Sequence, residues 1–181
     1  IVSDKKLSEF AFENNLSGFE FLSCIPGTVG GGIRMNSGCF GREFKDILVS
    51  VQAVNMFGKV ITIPKDKIIF SYRGCNLPKD LIFLSASLKG KLSNNNQIKK
   101  KMISLKEKKD LAQPTRVKTG GSTFKNPIEQ TDEKVWEIIK KSVPLDVQFG
   151  DAKISDKHCN FFINKGNASC QDMKKLVKFV K

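Results

Sequence analysis

The sequence has few residues suited to metal binding and no arrangement of cysteines typical of disulfides. It contains one histidine, His158, and its five cysteines are scattered without a Cys-x-x-Cys pair. Because zinc sites cluster histidine, cysteine and carboxylate ligands, we expect no metal site and interpret His158 as structural. Unpaired thiols are typical of a reducing, cytoplasmic compartment. No run of about 18 apolar residues is present, so no membrane span is expected.

Acidic residues are also scarce relative to basic ones. The chain has 31 Lys and Arg against 18 Asp and Glu, a net charge of +13. Such a charge suits nucleic acid, an anionic surface or phosphorylated small molecules. The densest lysine cluster, residues 99–109, lies on a predicted helix whose other face carries Ile98, Met102 and Leu105. With one tyrosine and no aromatic residues placed for base stacking, we interpret the cluster as a solvated face. A nucleic-acid-binding module is the alternative that the charge alone supports.

Helix and strand patterns alternate along the chain and predict an α+β class. Ser3 is predicted to cap a helix carrying Leu7, Phe10 and Ala11 that exits at Gly18. Alternation in residues 47–55 places Ile47, Val49, Val51 and Ala53 on one buried side of a strand. Further strands are predicted at residues 60–63, 81–87 and 158–164. A further helix is predicted at residues 95–111. Another is predicted to begin after a cap at Thr131, with Trp136 turned inward, and a last one to begin after Ser169, which forms a Ser-x-x-Asp capping box.

A glycine-rich stretch, residues 25–32, reads Ile-Pro-Gly-Thr-Val-Gly-Gly-Gly. Glycines let the backbone approach a ligand and turn several N–H groups toward one point, which suits a pyrophosphate. The spacing is not the Gly-x-Gly-x-x-Gly of a dinucleotide-binding fold, and no P-loop Lys-Ser/Thr follows it. From the residues alone, a phosphate-binding loop and a plain tight loop are equally supported.

Two further segments contain residues that suit an anionic substrate. Arg73, after Tyr72, can hold a carboxylate with two parallel hydrogen bonds, although an arginine in a loop is more often a surface residue. Ser122 follows two glycines that expose its hydroxyl, and Lys125 and Asn126 can hold anionic or amide groups. Without a Gly-x-Ser-x-Gly elbow and with a single histidine, a hydrolase triad is not supported. A structural turn is the alternative.

These segments occur in an order that resembles the UDP-N-acetylenolpyruvoylglucosamine reductase (UDP-N-acetylmuramate dehydrogenase) family. Residues 17–36 are similar to its flavin-binding segment almost position for position, and residues 72–73 are similar to its catalytic tyrosine-arginine pair. Residues 113–127 resemble its catalytic-serine segment, and residues from 155 onward resemble a later strand and helix of its substrate domain. The resemblance covers nearly the whole chain.

The resemblance implies a bacterial cytoplasmic enzyme of peptidoglycan synthesis in which NADPH reduces FAD and UDP-N-acetylglucosamine enolpyruvate is the substrate. It implies the second lobe of a PCMH/vanillyl-alcohol-oxidase-type FAD-binding domain at residues 1–108 and an α+β substrate-binding domain at residues 109–181. Arg73 would stabilise enolate-like charge and Ser122 would donate a proton. The implied FAD contacts are Ile25, Pro26, Gly27, Thr28, Val29, Gly30, Gly31 and Asn36, and the implied substrate contacts are Tyr72, Lys125 and Asn126.

The sequence also departs from the family. Its members begin with a further flavin-binding lobe and end with a glutamate that assists the acid chemistry, so we expect this chain to be truncated at both ends. Cys75 stands where a serine is usual, and residues 143–146 and 150–151 replace glycine-bearing stretches. An inactive fragment that binds only flavin or nucleotide sugar is therefore the alternative to a complete enzyme.

Overall fold

The computed structural model describes residues 1–181, which divide into two compact units, Ile1–Lys108 and Lys109–Lys181. Both units combine helices with antiparallel strands, so the α+β class is confirmed. No helix is both long enough and apolar enough to cross a membrane. None of the cysteines forms a disulfide, and no three histidine, cysteine or carboxylate side chains are grouped as metal ligands would be.

The first unit is built from short strands and helices around one sheet. Its helices are α1 (Asp4–Glu13), α2 (Val29–Arg34) and α3 (Asn95–Ala112), with short 3-10 helices at Glu20–Cys24, Phe44–Asp46 and Lys65–Lys67. Its strands are β1 (Leu16–Ser17), β2 (Gly38–Cys39), β3 (Arg42–Glu43), β4 (Leu48–Val54), β5 (Val60–Pro64), β6 (Phe70–Ser71), β7 (Gly74–Cys75), β8 (Ile82–Leu88) and β9 (Lys91–Leu92). Helix α3 continues past the end of the unit.

A three-stranded antiparallel sheet, in the order β5-β4-β8, covers the core of this unit. Val51, opposite Ile63 on one side and Ala86 on the other, points into the core and is fully buried. The prediction that Val49 shares this face is wrong, because Val49 is 45% exposed. The pairing of β4 with β8 shifts register between Leu48 and Ser50, so the strict alternation of inward and outward side chains breaks there.

Helix α1 confirms the predicted cap but ends earlier than expected. The hydroxyl of Ser3 accepts a hydrogen bond from the N–H of Lys6 at 3.2 Å, as an N-cap should. The predicted exit at Gly18 is wrong, since the helix ends at Glu13. Asn15 supplies the left-handed backbone instead, with a φ of 57°, because asparagine tolerates this conformation better than most residues.

The second unit is a four-stranded antiparallel sheet with two helices. Its strands are β10 (Lys118–Ser122), β11 (Gln148–Phe149), β12 (Ala152–Ile154) and β13 (Phe161–Asn164), paired in the order β10-β13-β12-β11, and its helices are α4 (Val135–Ser142) and α5 (Cys170–Val180). Ser169 and Asp172 form the predicted capping box at the start of α5. Leu176 of this helix is fully buried in a core with Ile154 and Phe162.

Helix α4 begins later than the sequence predicts. Lys134, and not Thr131, is its N-cap residue. The hydroxyl of Thr131 instead accepts a hydrogen bond from the N–H two residues further on, so it closes a turn before the helix. Ile139 is buried as expected, whereas Trp136 is only partly covered at 37% exposure. The predicted strand at residues 158–164 is shorter, because residues 158–160 form a turn before β13.

The buried face of α1 contains polar side chains rather than the expected Phe10, which is 58% exposed. Asp4 and Ser8 are buried one turn apart, and neither side chain has a hydrogen-bond partner. Burial raises the pKa of the Asp4 carboxyl to about 6 from its ordinary 3.8. The folded state therefore binds this proton more tightly than the unfolded state does. The stabilisation of the folded state by the bound proton is lost as the pH rises through about 6.

We expect Asp4→Asn to stabilise the protein near neutral pH and to have little effect in acid. A shift of about two pKa units corresponds to about 3 kcal/mol, and the unpartnered amide reduces the expected gain to about 1–2 kcal/mol at about pH 7.5. Urea unfolding of the parent and the variant across the range from about pH 4 to about pH 8 measures it. Asp132→Asn, at an exposed position, controls for loss of one negative charge. A stability difference for Asp4→Asn that does not change with pH would contradict the prediction.

Candidate active site

The glycine-rich stretch forms the start of α2, where it is anchored to the first residues of the chain. The N–H of Val29 donates to the carbonyl of Val2 at 3.0 Å. Thr28 is the N-cap of α2: its hydroxyl accepts from the N–H of Gly31 at 3.3 Å, and its carbonyl accepts from the N–H of Gly32 at 2.7 Å. The N–H of Ile25 also donates to the carbonyl of Leu22, at 3.1 Å. Four of the amides in this stretch are therefore used internally, so fewer amides face a ligand than the glycine content suggests.

Three other amides of the stretch remain open. The N–H groups of Gly27, Thr28 and Gly30 have no acceptor within the protein. Gly27 and Thr28 are exposed and Gly30 is half-buried. Backbone N–H groups at the first turn of a helix also carry partial positive charge. This set of donors suits an anion such as a pyrophosphate, so the residues present fit a flavin dinucleotide at this position.

The glycines of the stretch have different roles. A methyl group on Gly32 would lie 2.1 Å from a ring carbon of Phe44, which is itself completely buried. Gly32 is therefore required by the packing of α2 against the core. A methyl group on Gly30 would meet only Phe83, at 4.0 Å from its Cβ, which is an ordinary contact. Gly30 thus leaves space open beside α2.

A mostly apolar cavity of about 530 Å³ lies next to these open amides. Thr28, Val29 and Gly30 line one side of it, and Phe83, Leu84 and Ser85 of β8 line another. Ligand pockets typically combine apolar walls with a few polar groups that fix orientation. The cavity therefore adds an apolar surface beside donors for a phosphate.

Asn36 is completely buried and its side chain is hydrogen-bonded within the protein. Its Nδ2 donates to a carboxylate oxygen of Glu43 at 3.0 Å and to the carbonyl of Ser71 at 3.1 Å, and its Oδ1 accepts from the N–H of Lys45 at 3.1 Å. Its φ of 41° lies in the left-handed region. The side chain therefore joins the segment after α2 to the hairpin that contains Tyr72 and Arg73.

Tyr72 and Arg73 form the two-residue tip of the hairpin between β6 and β7. Arg73 has a φ of 56°, a conformation that costs a non-glycine residue roughly 1–3 kcal/mol and that is common at functional sites. Its guanidinium donates to the carbonyl of Gly38 at 3.0 Å and lies 5.1 Å from the centre of the Tyr72 ring. The structure thus brings the tyrosine-arginine pair to the segment that follows α2.

Ser122 lies at the end of β10, directly after an irregularity in the sheet. Thr119 pairs with Ile163 and Ser122 pairs with Phe161, so two residues of β10 stand opposite one residue of β13. Gly121, one of these two, has a φ of 86°, which only glycine adopts without strain. The bulge leaves the Ser122 side chain exposed, as the sequence predicts.

Lys125 and Asn126 follow Ser122 in a loop that is fixed at several points. The Oδ1 of Asn126 accepts a hydrogen bond from the N–H of Val135 at 3.1 Å, which ties the loop to the first residue of α4. The ring of Phe124 packs edge-on against Phe162 of the core, with centroids 5.9 Å apart. Lys125, between these two anchored residues, is exposed.

Sequence reasoning gave no role to Asn160, which contacts this loop directly. Asn160 is 4% exposed, and its side chain makes two hydrogen bonds to the backbone of Phe124. Its own N–H donates to Nδ1 of His158 at 3.3 Å. The available signal was a single polar residue inside the apolar run Cys-Asn-Phe-Phe, since buried polar residues need specific partners.

The predicted site residues therefore fall into two sets. The residues predicted to hold flavin, with Tyr72 and Arg73, lie in the first unit, and Ser122, Lys125 and Asn126 lie in the second. Within each unit, hydrogen bonds between backbone and side chains hold the set in place.

Two family models match the chain in the same order as these two sets. Residues 2–64 match a model described as an FAD binding domain. Residues 113–181 match a model described as the C-terminal domain of UDP-N-acetylenolpyruvoylglucosamine reductase. The chain belongs to the UDP-N-acetylenolpyruvoylglucosamine reductase family. The first match contains the glycine-rich stretch and Asn36, and the second contains Ser122, Lys125 and Asn126.

Reductases of this family from several bacteria are similar to nearly the whole chain. The protein named UDP-N-acetylenolpyruvoylglucosamine reductase from Pelagibacter ubique is 64% identical over 178 residues, which are 98% of this chain and 59% of that protein. The protein of the same name from Rickettsia bellii is 45% identical over 96% of this chain and 57% of its own length. The chain therefore spans somewhat more than half the length of these relatives.

A solved structure of the family has the same fold. The crystal structure of UDP-N-acetylenolpyruvylglucosamine reductase from Thermus caldophilus matches with a TM-score of 0.87 at 32% sequence identity. The match covers 98% of this chain and 64% of that protein. The α+β arrangement derived from the sequence is thus shared with a member of the reductase family.

We expect Gly30→Ala and Gly32→Ala to have opposite effects. Gly32→Ala places a methyl group inside the Phe44 ring and should lower the free energy of unfolding by about 3 kcal/mol or more. Gly30→Ala should be neutral or stabilise α2 by up to about 1 kcal/mol, because alanine favours a helix. It should also weaken FAD binding, since the methyl group occupies the cavity beside the open amides. Urea unfolding and flavin fluorescence titration measure the two effects, and equal losses of stability would contradict the distinction.

We also expect His158 to be neutral at neutral pH. Burial beside Trp136 and Phe161 lowers the pKa of the imidazole below its usual 6.5, although a backbone hydrogen bond partly opposes this. Because the folded-state pKa is lowered, the stabilising effect of the neutral ring is complete above about pH 6.5 and is lost as the pH falls through the folded-state value. A proton NMR titration can follow it directly, since the chain has a single histidine. A midpoint at or above the ordinary value would refute this expectation.

Proposed function

We propose that the chain supplies flavin-binding and substrate-binding residues for reduction of UDP-N-acetylglucosamine enolpyruvate to UDP-N-acetylmuramate. The observation that carries the proposal is the order of the two family matches, because one contains the open glycine-loop amides and the other the exposed Ser122. The product is a precursor for bacterial peptidoglycan. A reducing bacterial cytoplasm suits five cysteines outside disulfides.

FAD fits the first unit through the glycine-rich stretch. The N–H groups of Gly27, Thr28 and Gly30 would donate to the pyrophosphate, and the cavity between α2 and β8 would receive an apolar ring. Ile25, Pro26, Val29 and Gly31 complete the predicted contact set. Asn36, whose side-chain bonds are internal, would act by holding the adjoining backbone and the Arg73 hairpin. FAD supplies hydride chemistry, with NADPH as the proposed reductant.

Arg73 and Ser122 would complete the reduction of the double bond. Hydride addition to the carbon farther from the substrate carboxylate leaves negative charge delocalised into that carboxylate. Arg73, already constrained at a hairpin tip, would bind the carboxylate through two hydrogen bonds and stabilise this charge. Ser122 would give its hydroxyl proton to the carbon next to the carboxylate and be reprotonated from solvent.

Tyr72, Lys125 and Asn126 would position the nucleotide sugar. Lys125 is exposed between two anchored residues and would offer its charge to the anionic diphosphate, while Asn126 and Tyr72 would offer polar groups. The net charge of +13 is consistent with an anionic ligand of this kind. That the chain does not bind nucleic acid stays a prediction.

A spectroscopic experiment tests the proposal. The purified chain is mixed with FAD, desalted and examined for retained visible absorbance, first with NADPH and then with the enolpyruvyl substrate, without oxygen. We expect retained flavin to lose absorbance with NADPH and to regain it with substrate. Flavin that is retained but is not reoxidised by the substrate would reject the proposed activity for this chain and favour a protein that only binds flavin.

In the flavin-loaded protein, we expect Arg73→Lys and Ser122→Ala to retain flavin and slow its reoxidation by substrate. Loss of the proton donor should cost about two to four powers of ten, and lysine cannot reproduce the paired hydrogen bonds of arginine. Arg116→Lys is a matched control, because Arg116 is exposed and also has a positive φ, of 58°. Reoxidation rates equal to those of the parent would show that Arg73 and Ser122 are wrongly assigned.

A further inference from the structure

The side chain of Asn160 takes the place of a strand residue beside residues 122–126, which we call the Ser122 loop. Its Oδ1 accepts from the N–H of Phe124 at 2.9 Å, and its Nδ2 donates to the carbonyl of the same residue at 2.9 Å. Two neighbouring strands make this pair of bonds between backbones. Here one side-chain amide makes both, and the two partners fix which way the amide is turned.

The main chain of Asn160 holds the preceding residue of the loop as well. Its carbonyl accepts from the N–H of Thr123 at 2.8 Å. The regular pairing of β10 with β13 ends with Ser122 opposite Phe161. The bonds to Thr123 and Phe124 therefore continue the ladder for two residues after the serine, whose backbone is held by the sheet on one side and by Asn160 on the other.

Asn160 is itself held firmly. The N–H of Asn160 donates to Nδ1 of His158, and the N–H of Phe161 donates to the carbonyl of His158 at 2.9 Å. The His158 ring lies 4.9 Å from the Phe161 ring and 6.2 Å from the Trp136 ring. Because Asn160 is 4% exposed, water has little access to replace its bonds to the loop.

We propose that Asn160 is a positioning residue that fixes the backbone of residues 122–126 so that the Ser122 hydroxyl and the Lys125 ammonium are held toward the substrate. The inference rests on the proposed function, because it assigns Asn160 a part in the same reaction. Asn160 does not contact the reacting atoms. It acts through the loop, and a displacement of about 1 Å in a reacting group can cost roughly 100-fold in rate.

Asparagine suits this position because it carries a donor and an acceptor on one short planar group. Alanine would leave the N–H and carbonyl of half-buried Phe124 without these partners. Aspartate would keep the acceptor but turn a second oxygen toward the carbonyl of Phe124, which is repulsive unless the carboxyl is protonated. A carboxyl in this buried place has a raised pKa, so acid should restore the donor.

Asn164 provides a matched control at the other end of β13. Its Oδ1 accepts from the N–H of Ala168 at 2.9 Å, and its Nδ2 donates to the carbonyl of Ala168 at 3.4 Å. The arrangement is the same as that of Asn160 with Phe124, but it supports the turn before α5. Asn164→Ala should therefore cost stability without loosening the Ser122 loop.

Amide hydrogen exchange of the full chain tests the positioning role. We expect Asn160→Ala to lower the protection of the Thr123 and Phe124 amides at least about tenfold beyond any global loss of stability, whereas Asn164→Ala leaves them unchanged. In Asn160→Asp, protection corrected for intrinsic exchange should rise as the pH falls. Protection at Thr123 and Phe124 that is the same in Asn160→Ala as in the parent would overturn the proposal.

A kinetic measurement on the flavin-loaded protein links the loop to the reaction. We expect Asn160→Ala to slow flavin reoxidation by substrate about 100-fold and to leave flavin reduction by NADPH unchanged. If Ser122→Ala slows reoxidation but Asn160→Ala does not, the role of Asn160 in the reaction is refuted. If neither variant slows it while exchange still rises in Asn160→Ala, the assignment of Ser122 in the proposed function is what fails.

Discussion

The buried side-chain amides of Asn36 and Asn160 hydrogen-bond to backbone groups of the Arg73 hairpin, of the 3-10 helix Phe44–Asp46 and of the loop after Ser122. The side chain of Asn36 donates to the carbonyl of Ser71 and accepts from the N–H of Lys45. The side chain of Asn160 accepts from the N–H of Phe124 and donates to its carbonyl. A buried polar side chain without partners costs about 1–3 kcal/mol, so each of these buried asparagines keeps its bonds and thereby holds the contacted segment in one conformation. Because Arg73 and Ser122 lie in or next to these segments, each set of candidate site residues is held in place by an asparagine that has no proposed contact with the reacting atoms.

The position of α2 shows how packing and ligand binding share one short sequence. Gly32 allows the helix to approach the Phe44 ring, and Arg34, two residues later, donates to the carbonyls of Leu77, Pro78 and Leu81. These contacts fix the helix on the core from one side and from its last turn. The first turn, with the open amide of Gly30, is thereby left facing the cavity. A glycine-rich motif can therefore be required by the core at one residue and leave an open backbone amide beside a cavity two residues earlier.

Features that depend on residues three or four apart were predictable from the sequence. The caps at Ser3 and Ser169 and the buried face of α3, with Ile98 and Leu105, follow local patterns and are confirmed. The start of α4 was predicted wrongly. Threonine is a common N-cap residue, but the hydroxyl of Thr131 closes a turn that precedes the helix. The burial of Asp4 in place of Phe10 was also not predictable, because hydrophobic pattern alone gives no reason to bury a carboxyl.

The residues of the candidate site also divide into those that local sequence reveals and those that only the fold reveals. The segments around Thr28, Arg73 and Ser122 were picked out as candidates from residue type and from their family-like order, since each presents its chemistry within a few residues, and their roles stay predictions. The roles of Asn36 and Asn160 were not, because their partners lie 35 and 36 residues away in the chain and only the fold brings them together.

The bonds that hold each set of site residues lie within a single unit of the chain. Asn36 joins residues 36–45 to the Arg73 hairpin in the first unit, and Asn160 joins β13 to the Ser122 loop in the second. The order of one loop therefore does not require the hydrogen bonds that order the other. This separation matches the chemistry proposed, in which cofactor binding precedes and is distinct from proton delivery to the substrate. Loosening the Ser122 loop should therefore impair the step with substrate while leaving the bound flavin undisturbed, which makes the contribution of the loop measurable by itself.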